Sequence, residues 1–154
     1  GVKNMIILKD NEVTSNVIKI FRKKIMVDTK EVKKFLGINS RNIVERLPIK
    51  NRDFNIWAIK EKDSIIGFVS FKTANDITFI KTLYIVKEHR KKGYAKKLLL
   101  KLNKQFDKLE TQVNKGNTVM YKMLESIGFK GKESRLGLGT DLNTKPILWS
   151  NYKL

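Results

Sequence analysis

Apolar residues along the 154-residue chain change their period several times, and each change marks an element. The run Met5-Ile6-Ile7-Leu8 predicts a first strand. Val13, Val17, Ile20, Phe21 and Ile25 then recur at helical spacing, which predicts a helix over 13–26. Asp28 and Glu31 have the spacing of a capping box, opening a helix with Val32, Phe35 and Leu36 that stops at Gly37. A further short helical turn is expected over 40–46, closed by Pro48. From there the period becomes two. Phe54, Ile56 and Ala58 alternate with Asn55, Trp57 and Ile59, and a Lys62-Asp63 turn leads into a strand over Ile65–Phe71. Ala74-Asn75-Asp76 then leads into a long strand from Ile77 to Val86. Three consecutive strands joined by short polar turns predict an antiparallel meander.

The helical period returns with Leu98, Leu99, Leu102 and Phe106. A strand is expected over Leu109–Val113, then a helix over 117–127 carrying Val119, Met120, Met123, Leu124 and Ile127 and ending at Gly128-Phe129. Two last strands are expected over Lys130–Leu138 and Ile147–Lys153. The order β-α-α-β-β-β-α-β-α-β-β is that of an α/β domain, more closely an α+β fold with a mixed sheet. No repeat, low-complexity run or Pro/Gly-rich linker interrupts it, so residues 1–154 are expected to form a single domain.

Composition narrows the chemistry. The chain has no Cys, which excludes a disulfide framework, a thiolate nucleophile and Cys-based metal sites. A single histidine, His89, leaves no multi-His metal site and argues against a Ser-His-Asp triad; no metal is expected. No stretch approaches the ~20 apolar residues of a membrane span, and the first residues carry no signal-type apolar core. No membrane contact and a cytoplasmic address are therefore expected. Lys and Arg total 33 against 15 Asp and Glu, a net charge of +18. Such a field attracts phosphate-bearing partners, from nucleotide cofactors to nucleic acids, although an excess of Lys, Ile and Asn also reflects AT-rich coding.

The densest chemical signal is Thr82-Leu83-Tyr84-Ile85-Val86-Lys87-Glu88-His89-Arg90-Lys91-Lys92-Gly93-Tyr94-Ala95-Lys96. A strand runs into a basic, Gly-containing turn that opens an apolar-faced helix. Unpaired N–H groups at a helix start and the positive end of its dipole suit a pyrophosphate. Gly93 permits close backbone approach, Ala95 is too small to obstruct, and Arg90, Lys91, Lys92 and Lys96 add charge.

From about residue 54 to 129 the chain resembles the GNAT superfamily of acyl-CoA-dependent N-acetyltransferases. That family's phosphate turn reads Gln/Arg-x-x-Gly-x-Gly/Ala, matched by Arg90, Gly93 and Ala95. Its next signature is a strand, an Asn and a helix ending in Gly-Phe, matched in order and spacing by Leu109–Val113, Asn117 and Gly128-Phe129. Ile65-Ile66-Gly67-Phe68 resembles the opening of the family's third strand. The resemblance implies a central, mostly antiparallel sheet with helices on both faces, acting as a monomer or homodimer.

It also implies the site. Backbone groups of Leu83, Tyr84 and Ile85 are expected along the pantetheine arm of acetyl-CoA (CoA), and Arg90 with Lys91, Lys92, Gly93, Tyr94, Ala95 and Lys96 around its pyrophosphate. Asn117 holds the family's cofactor-contacting position, with an N-cap as its other expected role. The usual acid, a Tyr four residues before the Gly of Gly-Phe, is here Leu124; the usual Glu base five residues before the Asn is Gln112, and a further base position falls near Lys81. Tyr121, one turn from Leu124, is the candidate catalytic acid, with core or pantetheine packing as its alternative; Glu88 and Glu110 are candidate bases or surface ion-pair partners. His89 occupies a packing position of the turn. The expected activity is acetyl transfer from acetyl-CoA to an amine acceptor by direct attack in a ternary complex. Two alternatives stand beside it: a nucleic-acid-modifying relative docking through the +18 surface, and a non-catalytic acyl-CoA-binding module.

Overall fold

A computed structural model describes residues 5–17, 19, 23, 54–114, 116–133 and 146–153. The strands are β1 (Met5–Lys9), β2 (Asn55–Glu61), β3 (Ser64–Ala74), β4 (Ile77–Ile85), β5 (Lys108–Asn114), β6 (Lys130–Glu133) and β7 (Pro146–Ser150). The helices are α1 (Tyr94–Gln105) and α2 (Thr118–Ser126), with short 3-10 turns at Asp10–Glu12 and Lys87–His89. The strands hydrogen-bond in the order β1-β2-β3-β4-β5-β7-β6, a mixed seven-stranded sheet. Of the helix expected over 13–26, residues 13–17, 19 and 23 are described; 15–17, 19 and 23 are helical, whereas Val13 and Thr14 lie before the helix. The helices expected at 28–37 and 40–46 lie outside the described residues.

The chain divides into two compact units, Gly1–Lys72 with Thr82–Ala95, and Thr73–Lys81 with Lys96–Leu154. In the first, β1 pairs antiparallel with β2 from Met5↔Glu61 to Lys9↔Trp57. β2 pairs antiparallel with β3, with a register shift between Ile59 and Lys60. Ile56, Trp57, Ala58 and Ile59 are buried in succession, as are Ile66 to Phe71. These strands are therefore covered on both faces, which is why their alternation is apolar against apolar. Each large side chain so buried contributes about 1.5–3 kcal/mol. Trp57 stands edge-on to Phe71 at 5.4 Å, and the Lys9 ammonium lies 4.4 Å from its ring centre. The end of β4 is tied to β3 by Val86 N–H donating to Ile66 O at 2.8 Å.

In the second unit the β3–β4 turn is a hairpin tip, with Asn75 and Asp76 at φ 52° and 66° and the Thr73 and Thr78 hydroxyls 2.8 Å apart. Two left-handed residues match the twist of the flanking strands. β4 pairs in parallel with β5 over Ile77–Ile80, and the buried Thr111 hydroxyl donates to Ile80 O at 3.0 Å. Leu98, Leu99 and Leu102 of α1 are fully buried, while Lys96, Leu100, Lys101 and Lys104 are exposed.

Helix α2 ends as its sequence predicts. Phe129 N–H donates to Leu124 O at 2.9 Å and Gly128 N–H to Glu125 O at 3.0 Å, with Gly128 at φ 96°. This is a Schellman cap: glycine takes the left-handed position, and Phe129 buries itself beyond it. The last strand is shorter than expected at its end, closing at Ser150 instead of Lys153. The Asn151 side chain diverts the chain there. Its Oδ1 accepts from Leu109 N at 2.7 Å, and its Nδ2 donates to Asn103 Oδ1 and Asp107 O. β6 is described to Glu133; the rest of the strand expected to Leu138 lies outside the described residues.

Candidate active site

In the first unit the expected phosphate turn is built as one continuous piece. β4 ends at Ile85, a 3-10 turn covers Lys87–His89, and α1 opens at Tyr94. Lys91 has φ 61° and Gly93 φ 90°, so two left-handed residues curl the backbone just ahead of the helix. Lys91, Lys92, Gly93 and Lys96 are exposed, and no acidic residue lies in the first turn of α1. The positive pole of the helix, whose first N–H groups have no intrahelical partner, thus opens beside exposed lysines, an arrangement that suits a phosphate.

Other side chains of this turn face inward. Arg90 Nε donates to Ile85 O at 2.8 Å, and its guanidinium lies 5.2 Å from the Tyr84 ring centre. Tyr94 is 2% exposed; its hydroxyl donates to Glu61 Oε2, and its ring meets His89 edge-on at 6.0 Å. The Glu61 bond, then burial, push the Tyr94 hydroxyl up to about 12, and the same bond holds the Glu61 carboxyl below its ordinary value. Tyr84 and Ile85 are buried, Leu83, Arg90 and Ala95 half-buried. His89 packs as the sequence suggested. Glu61 was missed there, because nothing local ties it to a turn 33 residues away.

The second unit holds the remaining candidates. Asn117 is the N-cap of α2, its Oδ1 accepting from Met120 N at 3.3 Å. Tyr121 stacks on Trp149, ring centres 5.9 Å apart and planes 9° from parallel. Both line a cavity of about 420 Å³ shared with Glu125, Phe129, Lys130 and Ile147. Gly131 also borders it; an added Cβ would come within 2.9 Å of the Trp149 ring, so glycine there makes room for the indole. Leu124 is fully buried, and Gln112 is exposed. Glu110 accepts from the Tyr152 hydroxyl, which burial and then that bond push up to about 12, with Lys108 at 5.6 Å from the Tyr152 ring. Glu110 therefore has a structural partner. Glu88 and Lys81 are exposed.

The model of the acetyltransferase (GNAT) family matches residues 29–129. The chain belongs to the GNAT acetyltransferase family. Among solved structures it is similar to the PaiA N-acetyltransferase from Thermoplasma acidophilum in complex with coenzyme A, at 17% identity and a TM-score of 0.72, covering 97% of this chain and 99% of that one. It is also similar to an IAA acetyltransferase from Bacillus cereus ATCC 14579, at 13% identity and a TM-score of 0.68 over 95% and 97% of the two chains. The ribosomal-protein-S18-alanine N-acetyltransferase from Escherichia coli matches at 13% identity and a TM-score of 0.58 over 73% and 76%. At such identities the likeness is one of fold. Comparison with curated proteins gives no match.

The GNAT framework explains several residues physically. Gly67 in β3 lies where an added Cβ would come within 2.7 Å of Tyr84 O and 2.6 Å of Ile85 Cδ1, so the motif glycine is there for space. Gly93 and Gly128 serve conformation instead, both in the left-handed region. Asn117 earns its place as a cap whatever else it contacts.

Proposed function

We propose that this GNAT chain is an N-acetyltransferase that takes its acetyl group from acetyl-CoA and passes it to an amine by direct attack. The turn Arg90–Ala95 carries the reading: left-handed Lys91 and Gly93, exposed lysines and a positive helix pole with no acidic residue in its first turn suit a pyrophosphate. The coenzyme A complex of the similar Thermoplasma acidophilum enzyme supports it.

In this reading Lys91, Lys92, Gly93, Tyr94, Ala95 and Lys96 hold the pyrophosphate through backbone N–H groups and the lysine charges. Arg90 acts one step back, fixing the Ile85 carbonyl. Backbone groups of Leu83, Tyr84 and Ile85 run beside the pantetheine arm and orient the reacting carbonyl. Acetyl-CoA supplies an acetyl thioester whose thiol, with a pKa near 8.5, leaves as thiolate without help from an acid. Leu124 donates no proton; Tyr121, stacked on Trp149 one turn away, is the candidate acid that would assist this departure. Gln112 takes up no proton near neutrality, so the amine must arrive uncharged or shed its proton to water. Forgoing a positioned acid or base costs a factor of ~10²–10⁴, while positioning and carbonyl polarisation remain.

A second reading rests on the exposed Lys96, Lys101 and Lys104 of α1 in a chain of net charge +18: the amine belongs to a nucleic acid held by this field. Calorimetry with CoA tests the cofactor site. Wild-type protein should bind, and Gly93→Val, strained at φ 90°, should lose binding while keeping its circular dichroism. A folded Gly93→Val with wild-type affinity would sink the assignment. RNA or DNA retention that falls steeply with salt, together with acetylation of the retained polymer, would favour the second reading.

A further inference from the structure

The turn proposed for the pyrophosphate is clamped at both ends by side chains pointing away from solvent. On the strand side Arg90 Nε donates to Ile85 O at 2.8 Å. On the helix side Tyr94, the first residue of α1 and the one after Gly93, is buried to 2% exposure. Its hydroxyl reaches Glu61, the last residue of β2, and His89 closes on its ring at 6.0 Å and 61°. Between these clamps Lys91, Lys92 and Gly93 are exposed.

We propose that the Tyr94–Glu61 hydrogen bond is a latch that holds the amino end of α1 in the orientation its phosphate-facing N–H groups need, which makes Glu61 a positioning residue for cofactor binding. This rests on the reading of the Arg90–Ala95 turn as a pyrophosphate site. An anion site made of backbone amides binds well only if its amides already converge; otherwise part of the binding energy goes into ordering the loop. Gly93, with no Cβ, has the widest conformational range of any residue type, so the turn needs an external constraint immediately after it. Tyr94 supplies that constraint through a bond to a carboxylate, a stronger class of hydrogen bond than one between neutral groups. The partner is the last residue of β2, so the bond ties the helix start to that strand end. The ring stays buried against His89 in Tyr94→Phe, so that variant removes the latch while leaving the packing.

CoA affinity by calorimetry on Tyr94→Phe, Glu61→Ala, Glu61→Gln and the Tyr94→Phe/Glu61→Ala pair tests the latch. Each of the first two should weaken CoA binding by about 3- to 20-fold, the range for losing one charge-assisted bond that acts partly through preorganisation. The pair should lose less than the product of the two single losses, because the two variants share the Tyr94–Glu61 bond. Glu61→Gln, whose amide oxygen still accepts, should recover most of the affinity. In acetyl transfer the KM for acetyl-CoA should rise while kcat at saturating acetyl-CoA and the KM for the amine hold. Wild-type affinity in folded Tyr94→Phe and Glu61→Ala would overturn the latch, as would equal losses in the KM for amine and for acetyl-CoA, which mark a general loss of structure. Failure of the wild-type protein to bind CoA would overturn the reading of the turn itself, and so separates the two.

Discussion

Replacing Gly67 with alanine should injure stability and catalysis together. Its new methyl would stand 2.7 Å from the Tyr84 carbonyl oxygen, 2.6 Å from Ile85 Cδ1 and 3.5 Å from Ile59 Cδ1. The isoleucine tip can rotate, but the carbonyl belongs to β4 and moves only with the strand. Carbon–oxygen contacts settle at about 3.3 Å, so β4 must yield by roughly 0.6 Å near Tyr84. Overpacking of this kind costs about 1–3 kcal/mol. The stiffer unfolded chain of alanine returns about 0.4–1 kcal/mol, leaving a net loss near 1–2 kcal/mol. For a chain of this length that lowers the melting midpoint by roughly 2–8 °C. The displaced segment is the one assigned to orient the thioester, and a misplacement of ~1 Å can cost ~10²-fold in rate. About a tenfold drop in kcat is expected well below the midpoint. Calorimetric melting and a thiol-release assay read both quantities. An unchanged or raised midpoint with full activity would refute the claim that this glycine is there for space.

Two further outcomes follow from the hydrogen-bond geometry. The Tyr94 hydroxyl, by its carboxylate bond and then burial, and the Tyr152 hydroxyl, by burial and then its carboxylate bond, are pushed up to about 12, so in ultraviolet titration the ionisation of both should come late. A folded pKa raised above the unfolded one gives stability that is full below pH 10 and lost as pH climbs towards 12; urea midpoints that hold steady across that window would contradict it. Asn117→Ala removes the bond to Met120 N and should cost about 1 kcal/mol, or 2–4 °C in the midpoint, and an unchanged midpoint would mean the cap is idle.

What was legible in the sequence was local. The Schellman cap at Gly128-Phe129, the hairpin at Asn75-Asp76 and the strand–turn–helix around Gly93 each depend on residues a few positions apart, so spacing alone reveals them. Tertiary pairing set the rest. Glu61 and Tyr94 meet across 33 residues, and Glu61 carries no mark that distinguishes it from any other charge at a turn. The end of β7 is decided by Asn151 reaching Leu109, Asn103 and Asp107, although Tyr152 and Lys153 continue an acceptable strand pattern. Charge marks Arg90 in the sequence, but the bond from its Nε to Ile85 O is visible only in the fold. Glu110, a candidate base or surface ion-pair partner by sequence, accepts from the Tyr152 hydroxyl 42 residues away.

The central claim is that the cofactor's pyrophosphate sits on the turn between β4 and α1. Hydrogen–deuterium exchange with and without saturating CoA tests it most directly, since the N–H groups opening α1 lack intrahelical partners and gain one when an anion occupies them. The account predicts that peptides covering residues 83–86 and 90–97 gain strong protection. Protection elsewhere, with the 90–97 peptide exchanging as fast as in the free protein, would contradict it.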